Sequence, residues 1–244
     1  MIISKIYFKL LKAVDRVIWT DLAIKTHNKR IGFHTSNYLF KEDQIAFIHI
    51  PKPGGTSLHK ILRQDSLKRF INLNMHRPVS HLCSPTKFKY ITVIRNPVDR
   101  VWSYYQMVLR NPPGSPYKRF VNRGLKYFLK HCWEVRNMSC RYYAGMVRKE
   151  PDKETLNRAL DNLVNFYYVI LFDNFTREIH DFLKKMTLPM VEVPHERKSN
   201  YNLPDENDIR IISQYNSLDI KLFKEWSEKN KKSWLYKKRP FCFD

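Results

Sequence analysis

Short apolar runs alternate along the chain with stretches of helical periodicity. Residues 45–50 (IAFIHI) form a dense apolar run rich in β-branched side chains. That pattern predicts a strand covered on both faces. Pro51 and Pro53 end it, and Gly54 and Gly55 supply a tight turn. Leu58, Ile61 and Leu62 then recur at helical spacing, with Thr56 or Ser57 as the cap. Residues 69–74 (RFINLN) alternate as a second strand, and residues 87–94 (KFKYITVI) predict a third. Asn96 caps the next helix, Pro97 fits its first position and Asp99 complements its positive end. Val98, Val101, Trp102 and Tyr105 mark its apolar face, and residues 111–114 (NPPG) stop it. Helices are predicted over 120–133, 154–163, 176–186 and 206–228, and a buried strand over 167–172 (YYVILF). Residues 25–43 read as a polar loop. Strands alternating with helices predict an α/β fold: a single domain with a mostly parallel central sheet flanked by helices.

Composition narrows this picture. A chain of 244 residues with 43% apolar and 14% aromatic content is globular rather than disordered. Its formal net charge of +21 favours anionic partners such as acidic glycans, nucleotides, nucleic acid or anionic membrane. Cys83, Cys132, Cys140 and Cys242 form no C-x-x-C pair, so neither a zinc site nor a disulfide framework is expected. Lys5, Lys9, Lys12 and Arg16 lie opposite Ile6, Leu10, Leu11, Val14, Val17 and Ile18 on a helical wheel. This helix is too charged for a membrane span and suits either packing on the domain or lying on an anionic membrane. The expected organisation is residues 1–40 as an amphipathic helix and loop, and residues 41–244 as the main domain.

The chemistry concentrates at two strand ends. The helix after residues 45–50 opens with N–H groups that have no internal partner and carry positive charge. Lys52 adds a full charge beside them. The result is a P-loop-like strand–turn–helix site suited to phosphate or sulfate. It is not the nucleotide-triphosphatase loop, because the lysine precedes the glycines. Arg95 repeats the arrangement at the second capped helix, and Ser103 lies about two turns further on. Ligands gather outside the carboxyl ends of such strands, so Lys52 and Arg95 suggest one ligand with two anionic groups.

PKPGGTS (residues 51–57) and VIRNPVDRVWSYY (residues 93–105) resemble the two nucleotide-binding motifs of sulfotransferases that use 3′-phosphoadenosine 5′-phosphosulfate. The resemblance is greatest to the glycan-modifying branch that includes heparan sulfate 2-O-sulfotransferase, and extends more weakly over residues 45–226. It implies a sulfotransferase domain over residues 41–244, with Lys52, Gly54, Gly55, Thr56 and Ser57 at the 5′-phosphosulfate. Arg95 and Ser103 would hold the 3′-phosphate. Two positions depart from the pattern. Pro53 stands where threonine is usual and offers neither hydroxyl nor N–H; Met75 stands where glycine usually precedes the histidine described next.

Sulfuryl transfer needs a base for the acceptor proton and a cation near the leaving oxygen. His76 follows the second strand, where the resemblance places the base, and histidine titrates near neutrality. His81 is the competing candidate. Lys52 would stabilise the leaving phosphate. Lys198 and Ser199, in the loop over 195–201, match the segment that closes over the nucleotide in these enzymes. Arg141, within residues 137–143, is the expected contact to an acidic acceptor. The expected donor is 3′-phosphoadenosine 5′-phosphosulfate, leaving as adenosine 3′,5′-bisphosphate, with no metal. The acceptor is a hydroxyl of a glycan or glycolipid, an acidic one by the charge balance. Two rivals stand beside this reading: a nucleotide-dependent kinase, disfavoured by the missing Walker lysine, and a basic nucleic-acid-binding protein, supported by charge alone. Without a spanning segment the expected location is cytoplasmic, with peripheral contact to anionic membrane.

Overall fold

A computed structural model describes residues 45–52, 55–64, 71–72, 78–79, 89–114, 117–146, 150–193 and 202–229. Four strands form one sheet: β1 (Ile45–Ile48), β2 (Ile71–Asn72), β3 (Lys89–Ile94) and β4 (Tyr168–Leu171), in the order β2-β1-β3-β4. Every pairing is parallel, with Ile45 opposite both Ile71 and Lys89, and Ile94 opposite Leu171. The expected α/β architecture with a parallel sheet is therefore present. From β1 the chain moves outward to β2 and then returns to the other side of β1. The crevice between β1 and β3 is the point where the strand order reverses.

Both faces of the sheet are covered, which explains why its strands are apolar throughout. On one face Ile45, Phe47, Ile91, Val93 and Ile170 pack against helix α1 (Gly55–Leu62). The reading of Leu58, Ile61 and Leu62 as a helix face holds, since all three have 0% exposure. On the other face Ala46, Ile48, Tyr90, Val169 and Leu171 pack against residues of several helices further along the chain.

Helix α2 (Pro97–Arg110) begins as its sequence predicts: the Asn96 side chain accepts from Val98 N at 2.9 Å, and Pro97 starts the helix. Its apolar side, with Val98, Val101 and Tyr105, packs against α3 (Lys118–Val121) and α4 (Leu125–His131). The single helix expected over 120–133 is thus two, because Gly124 turns the chain with φ 88° between them, a conformation open to glycine at no steric cost.

Residues 137–143, expected as an acceptor-contacting segment, instead form helix α5 (Met138–Ala144), buried along its whole length. Helix α6 (Lys153–Val164) follows it and carries a capping box at Asp152 and Thr155. Helix α7 (Phe175–Lys185) packs on the same face of the sheet as α1.

The helix expected over 206–228 is also broken. It becomes α8 (Glu206–Tyr215) and α9 (Ser217–Lys229), interrupted at Asn216, whose exposure is 0%. The cause is a reciprocal cap. The Asn137 side-chain oxygen accepts from Leu218 N at 3.0 Å and Asp219 N at 3.2 Å, in the first turn of α9. Asp219 in turn accepts from Ser139 N at 3.1 Å and Cys140 N at 2.8 Å, in the first turn of α5. Asn216 completes the knot by accepting from Asn137 N at 3.0 Å. Each helix thereby has its open N–H groups satisfied by a side chain of the other.

Cys132 and Cys140 are buried thiols outside any disulfide. Among the described residues no helix is long and apolar enough to cross a membrane. The amphipathic segment over 1–40 lies outside the described residues.

Candidate functional site

Lys52 and Arg95 come together at the carboxyl ends of adjacent strands, β1 and β3. Arg95 Nη1 donates to the Lys52 carbonyl oxygen at 3.1 Å. Lys52 itself holds φ 70°, a left-handed backbone unusual for a residue with a side chain. Such a conformation costs on the order of 1–3 kcal/mol and persists only where neighbours hold it. The Arg95 hydrogen bond is one such restraint.

Arg95 has a second support. Its guanidinium lies over the Phe172 ring, 4.4 Å from the centroid. Phe172 opens the 3₁₀ turn directly after β4. Sequence reading takes Phe172 as the end of a strand, and no local pattern marks it as a platform. The ends of β1, β3 and β4 therefore meet on this one side chain. Stacking fixes the plane of the guanidinium. The buried Arg95 Nε has no hydrogen-bond acceptor among the described residues.

The strand beneath Arg95 is itself anchored. Thr92 Oγ1 donates to Ile48 O at 2.9 Å, tying β3 to β1. Tyr143 OH donates to Val93 O at 3.3 Å from helix α5. The site thus stands on rigid elements whose own hydrogen bonds are internal.

The electrostatics are one-sided. Burial lowers the Lys52 ammonium pKa from its ordinary value, and the positive charges of Arg110 and Arg95 lower it further. An anion bound beside Lys52 would restore the charged form. Affinity for such an anion should therefore be highest where free Lys52 is protonated, and fall as pH rises through its lowered pKa. Titrating a bisphosphate from neutral to alkaline pH checks this: a flat profile would remove Lys52 from the contact, and Lys52→Arg should flatten the fall.

The backbone of Gly55, Thr56 and Ser57 forms the first turn of α1. Ser103 lies in α2, as its spacing from Arg95 predicts, and is 4% exposed. Arg141 stands apart from the site. It is 3% exposed. Its Nη2 donates to Trp133 O at 2.7 Å and Glu134 O at 2.8 Å, and also to Arg136 O. Burial lowers its pKa, and its charge is spent on closing the loop before α5. Helix α5, which carries it, is buried along its length. Pro53, Gly54, His76, His81, Lys198 and Ser199 lie outside the described residues.

A groove of about 500 Å³ runs along α2 beside Arg110, lined by Trp102, Gln106, Asn202, Asp205 and Asp208 among others. Trp102 Nε1 donates to Asn202 O at 2.7 Å and closes its floor. Neither Arg110 nor the groove is announced by a sequence motif.

No protein-family profile matches the chain, and no curated protein matches it. The functional reading therefore rests on the two motifs and on the geometry of the strand ends.

Proposed function

We propose that the protein is a sulfotransferase that moves a sulfuryl group from 3′-phosphoadenosine 5′-phosphosulfate to a hydroxyl of a glycan-type acceptor. The observation that carries the proposal is the pairing of Lys52 and Arg95 at the reversal point of a parallel sheet. The two cations stand at the two segments that resemble the donor-binding motifs. The residues fit an anionic nucleotide: a strained turn, a helix start, a stacked guanidinium whose buried Nε has no acceptor, and, among the described residues, no carboxylate among the charges that shift Lys52.

The donor supplies an activated sulfuryl group. In this reading Lys52 and the first turn of α1 hold its phosphosulfate, and Arg95 with Ser103 holds the 3′-phosphate. Lys52 stabilises the charge that develops on the bridging oxygen as the sulfur–oxygen bond breaks. His76 takes the acceptor hydroxyl proton as the new bond forms. Lys198 and Ser199 close over the nucleotide.

The test is transfer of labelled sulfuryl from the donor to a panel of neutral, amino-bearing and acidic oligosaccharides. Label on at least one oligosaccharide, lost in Arg95→Ala, is the expected result. Transfer of phosphoryl from ATP to the same panel, with none from the phosphosulfate, would favour the kinase alternative instead.

A further inference from the structure

Helices α3 and α4 carry a basic aromatic patch that neither motif includes. No Asp or Glu occurs between Asp99 and Glu134. Within that span Arg119, Arg123, Lys126, Lys130 and His131 are exposed, beside the half-buried rings of Phe120 and Tyr127. The rings meet across the turn at Gly124. Phe120 and Tyr127 lie 6.4 Å apart between centroids. His131 stacks on Phe120 at 5.8 Å and meets Tyr127 at 4.1 Å.

Two guanidinium groups are mounted on these rings. Arg119 lies over Phe120, 4.6 Å from the centroid, and Arg123 over Tyr127 at 4.9 Å. Arg123 Nη1 also donates to the Tyr127 hydroxyl at 2.8 Å. A stacked guanidinium gives up part of its rotamer freedom before any ligand arrives, so less is lost when it takes an anion. Lys130, three positions from Tyr127, adds a charge beside it on α4.

Among the described residues none of these Lys and Arg side chains enters an ion pair. Helix α8 packs against α4 and brings Asp205, Glu206 and Asp208 at its start, yet none of them pairs with the patch. Residues 1–44 and 230–244, outside the described residues, each hold more Lys and Arg than Asp and Glu, so like charge disfavours them as occupants. The complement of the patch is an external polyanion.

The chemistry of the patch selects among polyanions. The exposed large apolar side chains among the described residues, Val164, Met190 and Leu203, lie outside α3 and α4, so the patch has no apolar wedge for a bilayer. Its rings are engaged with one another and with the guanidinium groups, and are not open platforms for single-stranded bases. It offers positioned cations, matched by sulfate or carboxylate groups spaced along a sugar chain.

We propose that α3 and α4 form a surface that holds an acidic glycan, with Arg119 and Arg123 as its anion contacts. The choice of a glycan over duplex nucleic acid rests on the acceptor reading above; the charge and ring geometry stand without it.

The test is calorimetry of the full chain at physiological salt with a dextran sulfate oligosaccharide, neutral dextran of the same length, a short DNA duplex and adenosine 3′,5′-bisphosphate. Dextran sulfate should bind in preference to the duplex, and neutral dextran should not bind. Arg119→Gln with Arg123→Gln should weaken dextran sulfate binding about tenfold, the scale of a lost charge-assisted hydrogen bond, and leave the bisphosphate unchanged. Lys153→Gln with Lys184→Gln removes the same charge from exposed positions on α6 and α7 and should change it less than about twofold, since distant surface charges are screened. Phe120→Leu keeps every charge but removes the platform of Arg119, and should also weaken dextran sulfate. Equal loss in the two charge-removing pairs would reduce the effect to net charge and overturn the inference. Tighter binding of the duplex, or full dextran sulfate affinity without the two arginines, would overturn it too, and intact bisphosphate binding would then leave the donor reading standing. Dextran sulfate binding that needs the two arginines, with no bisphosphate binding, would end the donor reading and leave this surface in place.

Discussion

Replacing Asp219 with alanine should destabilise the protein by about 3–5 kcal/mol, the cost of leaving one partner of a buried ion pair alone. Asp219 has 0% exposure and faces Arg100 at 1%, with Arg100 Nη2 3.5 Å from Asp219 Oδ2. Arg100 also donates to Val135 O at 3.1 Å, but a carbonyl does not neutralise a guanidinium. Burial already lowers the Arg100 pKa, and the Asp219 charge opposes that shift. Removing the carboxylate strands this charge and uncaps α5 at Ser139 N and Cys140 N. Asp219→Asn keeps an acceptor for one N–H but not the charge, and should fall between. A double change of Arg100→Met with Asp219→Leu should recover part of the loss, since a paired apolar replacement leaves no orphan charge. Urea unfolding midpoints measure all three. A loss below about 1 kcal/mol in Asp219→Ala, the scale of a surface pair, would contradict the role given to this pair.

His76→Ala should lower turnover by about 10²–10⁴-fold, the usual contribution of a positioned general base. Bisphosphate affinity should stay within a few-fold, because the proposed mechanism gives the phosphates to Lys52 and Arg95 and not to the base. Rate measurements at saturating acceptor separate the two effects. A near-full rate in His76→Ala would remove it as the base, and loss in His81→Ala alone would pass the role to that residue.

Much of the scaffold is legible in the sequence because its determinants are local. The apolar runs at β1, β3 and β4 and the Asn96–Pro97 start of α2 each depend on neighbours a few positions away. From these alone Lys52 and Arg95 can be assigned to strand ends. What stays hidden is long-range. The Asn137 and Asp219 caps join residues 82 positions apart, so 137–143 is not legible as a buried helix and 206–228 reads as one helix. Arg141 looks like a surface cation because its three carbonyl partners are brought to it only by the turn before α5. Phe172 as a platform for Arg95 arises from the order of strands in the sheet. Strand order is a property of the folded chain and leaves no mark in the spacing of residues.

The pairing of Lys52 with Arg95 is most directly tested by calorimetry of the full chain with adenosine 3′,5′-bisphosphate, ATP and a short oligonucleotide, repeated for Arg95→Ala. The bisphosphate should bind in preference to the other two. Arg95→Ala should lose about 1.5–3 kcal/mol of that binding, the worth of a hydrogen bond to a charged group. Preference for ATP or the oligonucleotide, or bisphosphate binding unchanged in Arg95→Ala, would contradict a donor site at these strand ends.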